Sequence, residues 1–183
     1  MRAVLDACVL YPTVMREMLF GAARAGFYEP VWGARILEEW ALTGRKAGAG
    51  GEAQTRGEVA LAQAAFPDAL RRYPAESEKR FWLPDPGDLH VLALAVASSA
   101  DLIVTANAKD FPRHILAEEG LSRADPDALL LGFYEANPEP IRALAEEARD
   151  RIQQLSGESW TLRQLLRKAR MPRLGKALEH AAG

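Results

Sequence analysis

A three-layer α/β/α sandwich on a central parallel sheet, followed by C-terminal helices, is the fold class that the sequence predicts. Short apolar runs at Ala3–Leu5, Phe27–Trp32 and Leu102–Thr105 read as strands, and segments of helical periodicity separate them. Strands that alternate with helices imply a parallel sheet with helices on both faces. Leu102–Thr105 has no polar face, as a strand covered on both sides requires. After Asn137-Pro138 the composition shifts to amphipathic helices, which divides the chain into residues 1–137 and a helical, basic extension over 138–183.

Taken in order, the first run ends at Asp6, and Tyr11-Pro12-Thr13 supplies a turn and a cap for the helix "VMREMLFGAARAG". The second run leads into "GARILEEWALTG", closed by Gly44. "GRKAGAGG" is a loop, and not a phosphate-binding one, because no Gly-Lys-Ser/Thr ends it and no strand precedes it. "EAQTRGEVALAQAAF" is helical, and "LPDPGD" provides a break and caps for "LHVLALAVASSA", whose unbroken apolar character predicts a buried helix. Behind Leu102–Thr105 come two helices, "HILAEEG" and "DPDALLLGFYEAN", with room for a short strand at "LSRA" between them. "IRALAEEARDRIQQL" and "TLRQLLRKAR" are the helices of the extension.

A hydrophobic content of 49% and a charged content of 26% suit a water-soluble globular protein. The single cysteine, Cys8, excludes an internal disulfide. No apolar run approaches the roughly 20 residues that span a bilayer, and no secretory pattern opens the chain; a cytoplasmic location is expected. The net charge of −2 conceals an asymmetry: Arg163, Arg167, Lys168, Arg170, Arg173 and Lys176 fall in a stretch without acids. Such a segment could meet nucleic acid or an acidic partner, or be a solvated face.

The chemistry gathers at strand ends. Asp6 closes the first strand, while Thr105, Asn107 and Asp110 follow the most apolar one. Parallel strands present their carboxyl ends on one edge, where ligands of open α/β sheets collect. Asp88 opens the buried helix, which must run back from that edge, and a helix N-terminus favours a carboxylate. Each residue has an ordinary reading as a turn or cap. Together, several oxygen-bearing groups on one edge repel one another unless a cation sits among them, and oxygen ligands without histidine or thiol favour Mg2+ or Mn2+. Helical phase alone leaves open which of Glu38 and Glu39 points inward. His90, His114 and His180 read as packed or surface histidines, and Trp32 and Trp40 as core.

The set "VLDACVLYP", "ILEEW" and "PDPGDLHVLALAVASSADLIVTANAKDFP" resembles the PIN-domain ribonucleases, with toxin components of VapC type from bacterial type II toxin–antitoxin pairs as the nearest relatives. The resemblance covers about residues 1 to 135, and its last motif is the most specific. It implies that Asp6, Glu39, Asp88 and Asn107 form the catalytic set, that these four with Asp110 hold the metal, and that Thr105 orients the site or touches a phosphate. It favours Glu39 over Glu38. Cys8 stands where many relatives have asparagine, which predicts weaker support for Asp6. Asn107 in place of aspartate removes a charge and disfavours a tightly held second metal.

The activity so implied is hydrolysis of RNA phosphodiesters with Mg2+ or Mn2+, by analogy leaving a 5′-phosphate and a 3′-hydroxyl. Arg113, Arg45-Lys46 and the Arg163–Lys176 segment are candidates to receive the RNA backbone. A cognate antitoxin protein and a homodimer are implied partners. Two other readings compete: a non-catalytic partner- or RNA-binding module on the same fold, and a haloacid-dehalogenase-like phosphatase. The latter usually has a second aspartate two residues after its nucleophile, where this chain has Cys8, and Lys109 follows Thr105 too closely for the lysine it needs.

Overall fold

The computed structural model describes residues 1–180. Its helices are α1 (Ala7–Leu10), α2 (Thr13–Arg24), α3 (Ala34–Thr43), α4 (Gly51–Ala65) and α5 (Leu89–Ala97). They continue with α6 (Arg113–Glu118), α7 (Pro126–Ala136), α8 (Pro138–Ser156), α9 (Leu162–Lys168) and α10 (Pro172–His180). The residues form two compact units: Met1–Tyr11 with Tyr28–Ala124, and Pro12–Phe27 with the chain from Asp125 onward. A linear cut at residue 137 falls between α7 and α8, inside the second unit.

The first unit contains four strands, β1 (Arg2–Leu5), β2 (Glu29–Val31), β3 (Leu102–Val104) and β4 (Ser122–Ala124). They form one all-parallel sheet in the order β2-β1-β3-β4, the α/β/α class that the alternation predicts. "LSRA" does supply the fourth strand. Ala3, Val4, Leu5, Ile103 and Val104 are wholly buried at its centre. Helix α5 lies against β1 and β3, and Val91, Leu92, Leu94 and Ala95 are buried along it. A helix apolar all round belongs in a core. The glycine-rich loop forms a 3₁₀ turn, Gly44–Ala47, and Gly44 and the first residue of α4, Gly51, approach so closely that a Cβ on either would strike the other's carbonyl.

In the second unit, α2 contacts α7 and α8, and α10 contacts α7 and α9. Helix α10 was not expected, because what starts it is distant in sequence. Asp127 on α7 is buried and accepts from the backbone N–H groups of Arg173 (3.0 Å) and Leu174 (2.9 Å). These are donors that a local cap would ordinarily satisfy. Helix α1 was also unexpected, its four residues being too short for periodicity to show. The basic stretch is partly neutralised from outside itself: Arg163 pairs with Glu179, Arg173 with Asp125 and Asp127, and Lys168 lies over the Trp160 ring. No described helix is long and apolar enough to cross a membrane.

Candidate active site

The chain passes from β1 to β2 on one side and later lays β3 on the other, so the ends of β1 and β3 flank the point where strand order reverses. Crevices at such points are the usual ligand sites of open parallel sheets. Leu5 is in register with Val104, and the Asp6 N–H donates to the Val104 carbonyl at 3.1 Å. The next residues, Asp6 and Thr105, are therefore neighbours. Thr105 Oγ1 donates to Asp6 Oδ2 at 2.7 Å, and Cys8 Sγ donates to the same oxygen at 2.9 Å. The Ala106 N–H reaches Cys8 Sγ at 3.3 Å, and the Asn107 N–H reaches Thr105 Oγ1 at 2.9 Å.

Cys8 thus supports Asp6 directly, through its thiol. Although the residue has open surface, burial of its sulfur, and then the Asp6 charge, push the thiol up to about 12. It is a neutral donor there and not a nucleophile. Asp6 makes no side-chain capping bond to α1, and the convergence of both donors on Oδ2 leaves Oδ1 as the oxygen free to face a ligand.

A second group of acids stands beside this pair. Asp85, Asp88 and Asp110 each offer a carboxylate oxygen within 4.8 Å of the others. Asp85 caps and Asp88 ends a 3₁₀ turn, Pro86–Asp88, a geometry in which positions i and i+3 fall on one side. Asp85 is partly occupied, its Oδ1 accepting from the Gly87 N–H at 2.8 Å. Asp88, by contrast, makes no capping bond to α5 although it stands at the cap position. Asp110 is buried ahead of the wholly buried Phe111, and its Oδ2 accepts from Asn107 Nδ2. Burial, then the charges of Asp6, Asp85 and Asp110, push Asp88 up to about 6. The four aspartates therefore share one electrostatic neighbourhood.

Glu39 lies outside this group. Its Oε1 accepts from Arg35 Nε at 3.1 Å, and its Oε2 is 3.4 Å from Nε2 of the buried His90. His90 Nε2 has no hydrogen-bond partner, which leaves this as an electrostatic contact. Burial of Glu39 opposes its charge, but His90 and Arg35 outweigh that and hold the carboxyl below its ordinary value. Arg35 Nη2 and His90 Nδ1 both meet the Gly87 carbonyl, at 2.9 and 2.8 Å. Glu39 thus reaches the acids through the turn that carries Asp88. Glu38 pairs with Arg56 on the exposed side of α3, so of the two glutamates it is Glu39 that turns toward Arg35 and His90.

Four carboxylates, with the Asn107 amide oxygen available and neither histidine nor thiolate among them, suit a hard divalent cation. Asp85 escaped the sequence reading because "LPDPGD" looks like a break with caps. The signal was its spacing of three from Asp88 across a proline turn. A family model described as PIN domain matches residues 2–109. The chain belongs to the PIN-domain family. PIN domains are generally nucleases and usually work with a divalent metal, and the acid cluster could hold one. Neither the comparison with curated proteins nor that with solved structures gave a match.

Proposed function

We propose that this PIN-domain protein is a divalent-metal-dependent endoribonuclease, hydrolysing RNA phosphodiester bonds, and that it serves as the toxin of a toxin–antitoxin pair. The hydrolase reading is carried by the convergence of Asp85, Asp88 and Asp110 beside Asp6 at the β1–β3 switch point, where burial and then the neighbouring charges push Asp88 up to about 6. Asp6, Asp88 and Asp110, with Asp85 and the side-chain oxygen of Asn107, would hold Mg2+ or Mn2+. When bound, such an ion acidifies water and offsets charge that develops on the phosphate.

The chain's own residues prepare that chemistry. Thr105 and Cys8 fix the Asp6 carboxylate, so its free oxygen needs no reorientation. Asn107 fixes Asp110 in the same way. Arg35 and His90 hold the Gly87 carbonyl and so the turn that presents Asp88, and Glu39 orders Arg35. Glu39 is on this account a positioning residue and not a ligand. Arg113, exposed at the start of α6 and without an ion pair among the described residues, offers a guanidinium to an incoming phosphate. Arg45, which pairs with Glu52 at 2.5 Å, is less available for that task.

The toxin role rests on the motif resemblance. A small antitoxin would place a basic side chain among the acids, and a homodimer is the proposed assembly. The test is cleavage of single-stranded and structured RNA by the purified protein. Mg2+ or Mn2+ should support it, EDTA should abolish it, and Asp6→Asn or Asp88→Asn should give folded, inactive protein. Persistent cleavage by both variants would overturn the assignment. Expression alone should slow growth, and Asp6→Ala should relieve the effect.

A further inference from the structure

Of the tryptophans, Trp32 and Trp40 are wholly buried, whereas Trp82 is 67% exposed. It is not loose chain: the next residue, Leu83, is buried, which fixes the segment with the indole outward. Beside it lies a groove of about 350 Å³, walled by Arg80, Phe81 and Trp82 on one side and by His114 and Ile115 of α6 on the other. The Arg80 guanidinium lies 5.4 Å from the Phe81 ring centroid, and Arg80 has no acid partner among the described residues. Both walls are joined to the acid cluster by short stretches of chain. Trp82 precedes Asp85 by three residues, and His114 follows Asp110 by four, so the groove starts within about 10 to 14 Å of those aspartates along the chain. Glu118 and Glu119 line it a helical turn further from Asp110.

We infer that this groove is a stacking subsite for an unpaired base of the RNA strand presented to the acid cluster, with Trp82 as the platform and Arg80 and His114 beside the backbone. The inference rests on the nuclease reading above. An exposed indole gives any base a face to stack on, and a flanking arginine adds attraction to both ring and phosphate. Bases inside a duplex cannot reach such a platform, so the subsite selects single strands, loops and ends. The carboxylates of Glu118 and Glu119 disfavour phosphate at the far end of the groove, which directs the strand toward Asp110. An acidic protein partner would not need an open aromatic face next to a phosphodiester site.

The experiment titrates full-length Asp88→Asn protein, which leaves the strand intact, with a short unstructured RNA while tryptophan emission is followed. Saturable quenching is expected, and adding Trp82→Leu should remove it and weaken binding about tenfold. Trp82→Phe should restore most of the affinity, and a duplex of equal length should not quench. Unchanged affinity in the Trp82→Leu protein overturns the subsite. The two readings fail separately. Trp82-dependent binding by a protein whose wild type cleaves nothing with Mg2+ or Mn2+ sinks the nuclease assignment and leaves a base-binding site. Cleavage with an unaltered KM in Trp82→Leu sinks the subsite and leaves the nuclease.

Discussion

Thr105 Oγ1 donates to Asp6 Oδ2 at 2.7 Å although 99 positions separate the two residues. Thr105 is 2% exposed and also accepts from the Asn107 N–H, so one hydroxyl ties the β1 acid to the loop that bears Asn107 and Asp110. Thr105→Val keeps the shape and removes both bonds. The expected result is a folded protein destabilised by about 1–3 kcal/mol, the cost of leaving buried partners unsatisfied, with metal affinity and kcat both reduced. Denaturant unfolding and Mn2+ titration measure the two effects, and wild-type values in both would remove the hydroxyl from its assigned role.

Asp88 makes stability depend on pH in an unusual direction for a carboxylate. Its folded-state pKa is raised to about 6, above the roughly 3.9 of an unfolded aspartate. The folded state therefore holds the proton more tightly, and the metal-free protein should lose stability as pH rises from about 4 to 6, then level off. Two pH units correspond to about 3 kcal/mol; Asp88 is partly exposed, so solvent screening reduces this to about 1 kcal/mol. The wild-type minus Asp88→Asn difference in unfolding free energy isolates the effect. Asp88→Asn should equal wild type near pH 4 and exceed it at pH 7 in EDTA.

Divalent cations should reverse that ordering. Mg2+ or Mn2+ at pH 7 should raise the Tm of the wild type and leave Asp88→Asn nearly unmoved, because ligands that bind only the folded state stabilise it. Near pH 5, where a proton competes for Asp88, the increment should shrink. An equal increment in both proteins would place the ion elsewhere.

Glu39 and the aspartates should separate in kinetics. If Glu39 acts through Arg35 and the Gly87 turn, Glu39→Gln should lower kcat only several-fold and leave Mn2+ affinity close to wild type. Asp6→Asn and Asp88→Asn should abolish turnover. A Glu39→Gln protein that loses metal binding as fully as Asp88→Asn would return Glu39 to the ligand set.

Asp127→Ala should unfasten α10. The carboxylate accepts from two backbone N–H groups and from Arg173 Nε, so its loss should cost about 2–3 kcal/mol. Amide exchange should accelerate over Pro172–His180 more than over α7. Uniform exchange across both helices would contradict the local account.

Strand ends were legible in the sequence wherever an apolar run met a polar residue: Leu5 before Asp6, Val104 before Thr105. The register that joins them obeys backbone pairing, so the contact of Asp6 with Thr105 follows once both strands are recognised. Glu39 was harder. Its place on the inward side of α3 was available only by resemblance, and its engagement with Arg35 and His90 depends on how a proline turn brings Gly87 to two helices. Asp85 was hidden because a capping acid and a ligand acid look alike until the fold shows what else is near. Helix α10 was hidden because its cap lies 46 positions away in the chain.

The interleaving of the two units has a consequence for how the protein is made. Residues 12–27 belong with helices that begin at Asp125, yet they are synthesised between the strands β1 and β2. On the ribosome, α2 emerges well before α7 and α8, the helices of its unit that it contacts. Nascent chains usually settle from the N-terminus onward; here α2, translated before β2, docks on helices translated after β4. A stop codon after β4 would thus release a polypeptide with its acid cluster complete and a greasy early helix without its partner helices, a ready substrate for chaperones and proteases.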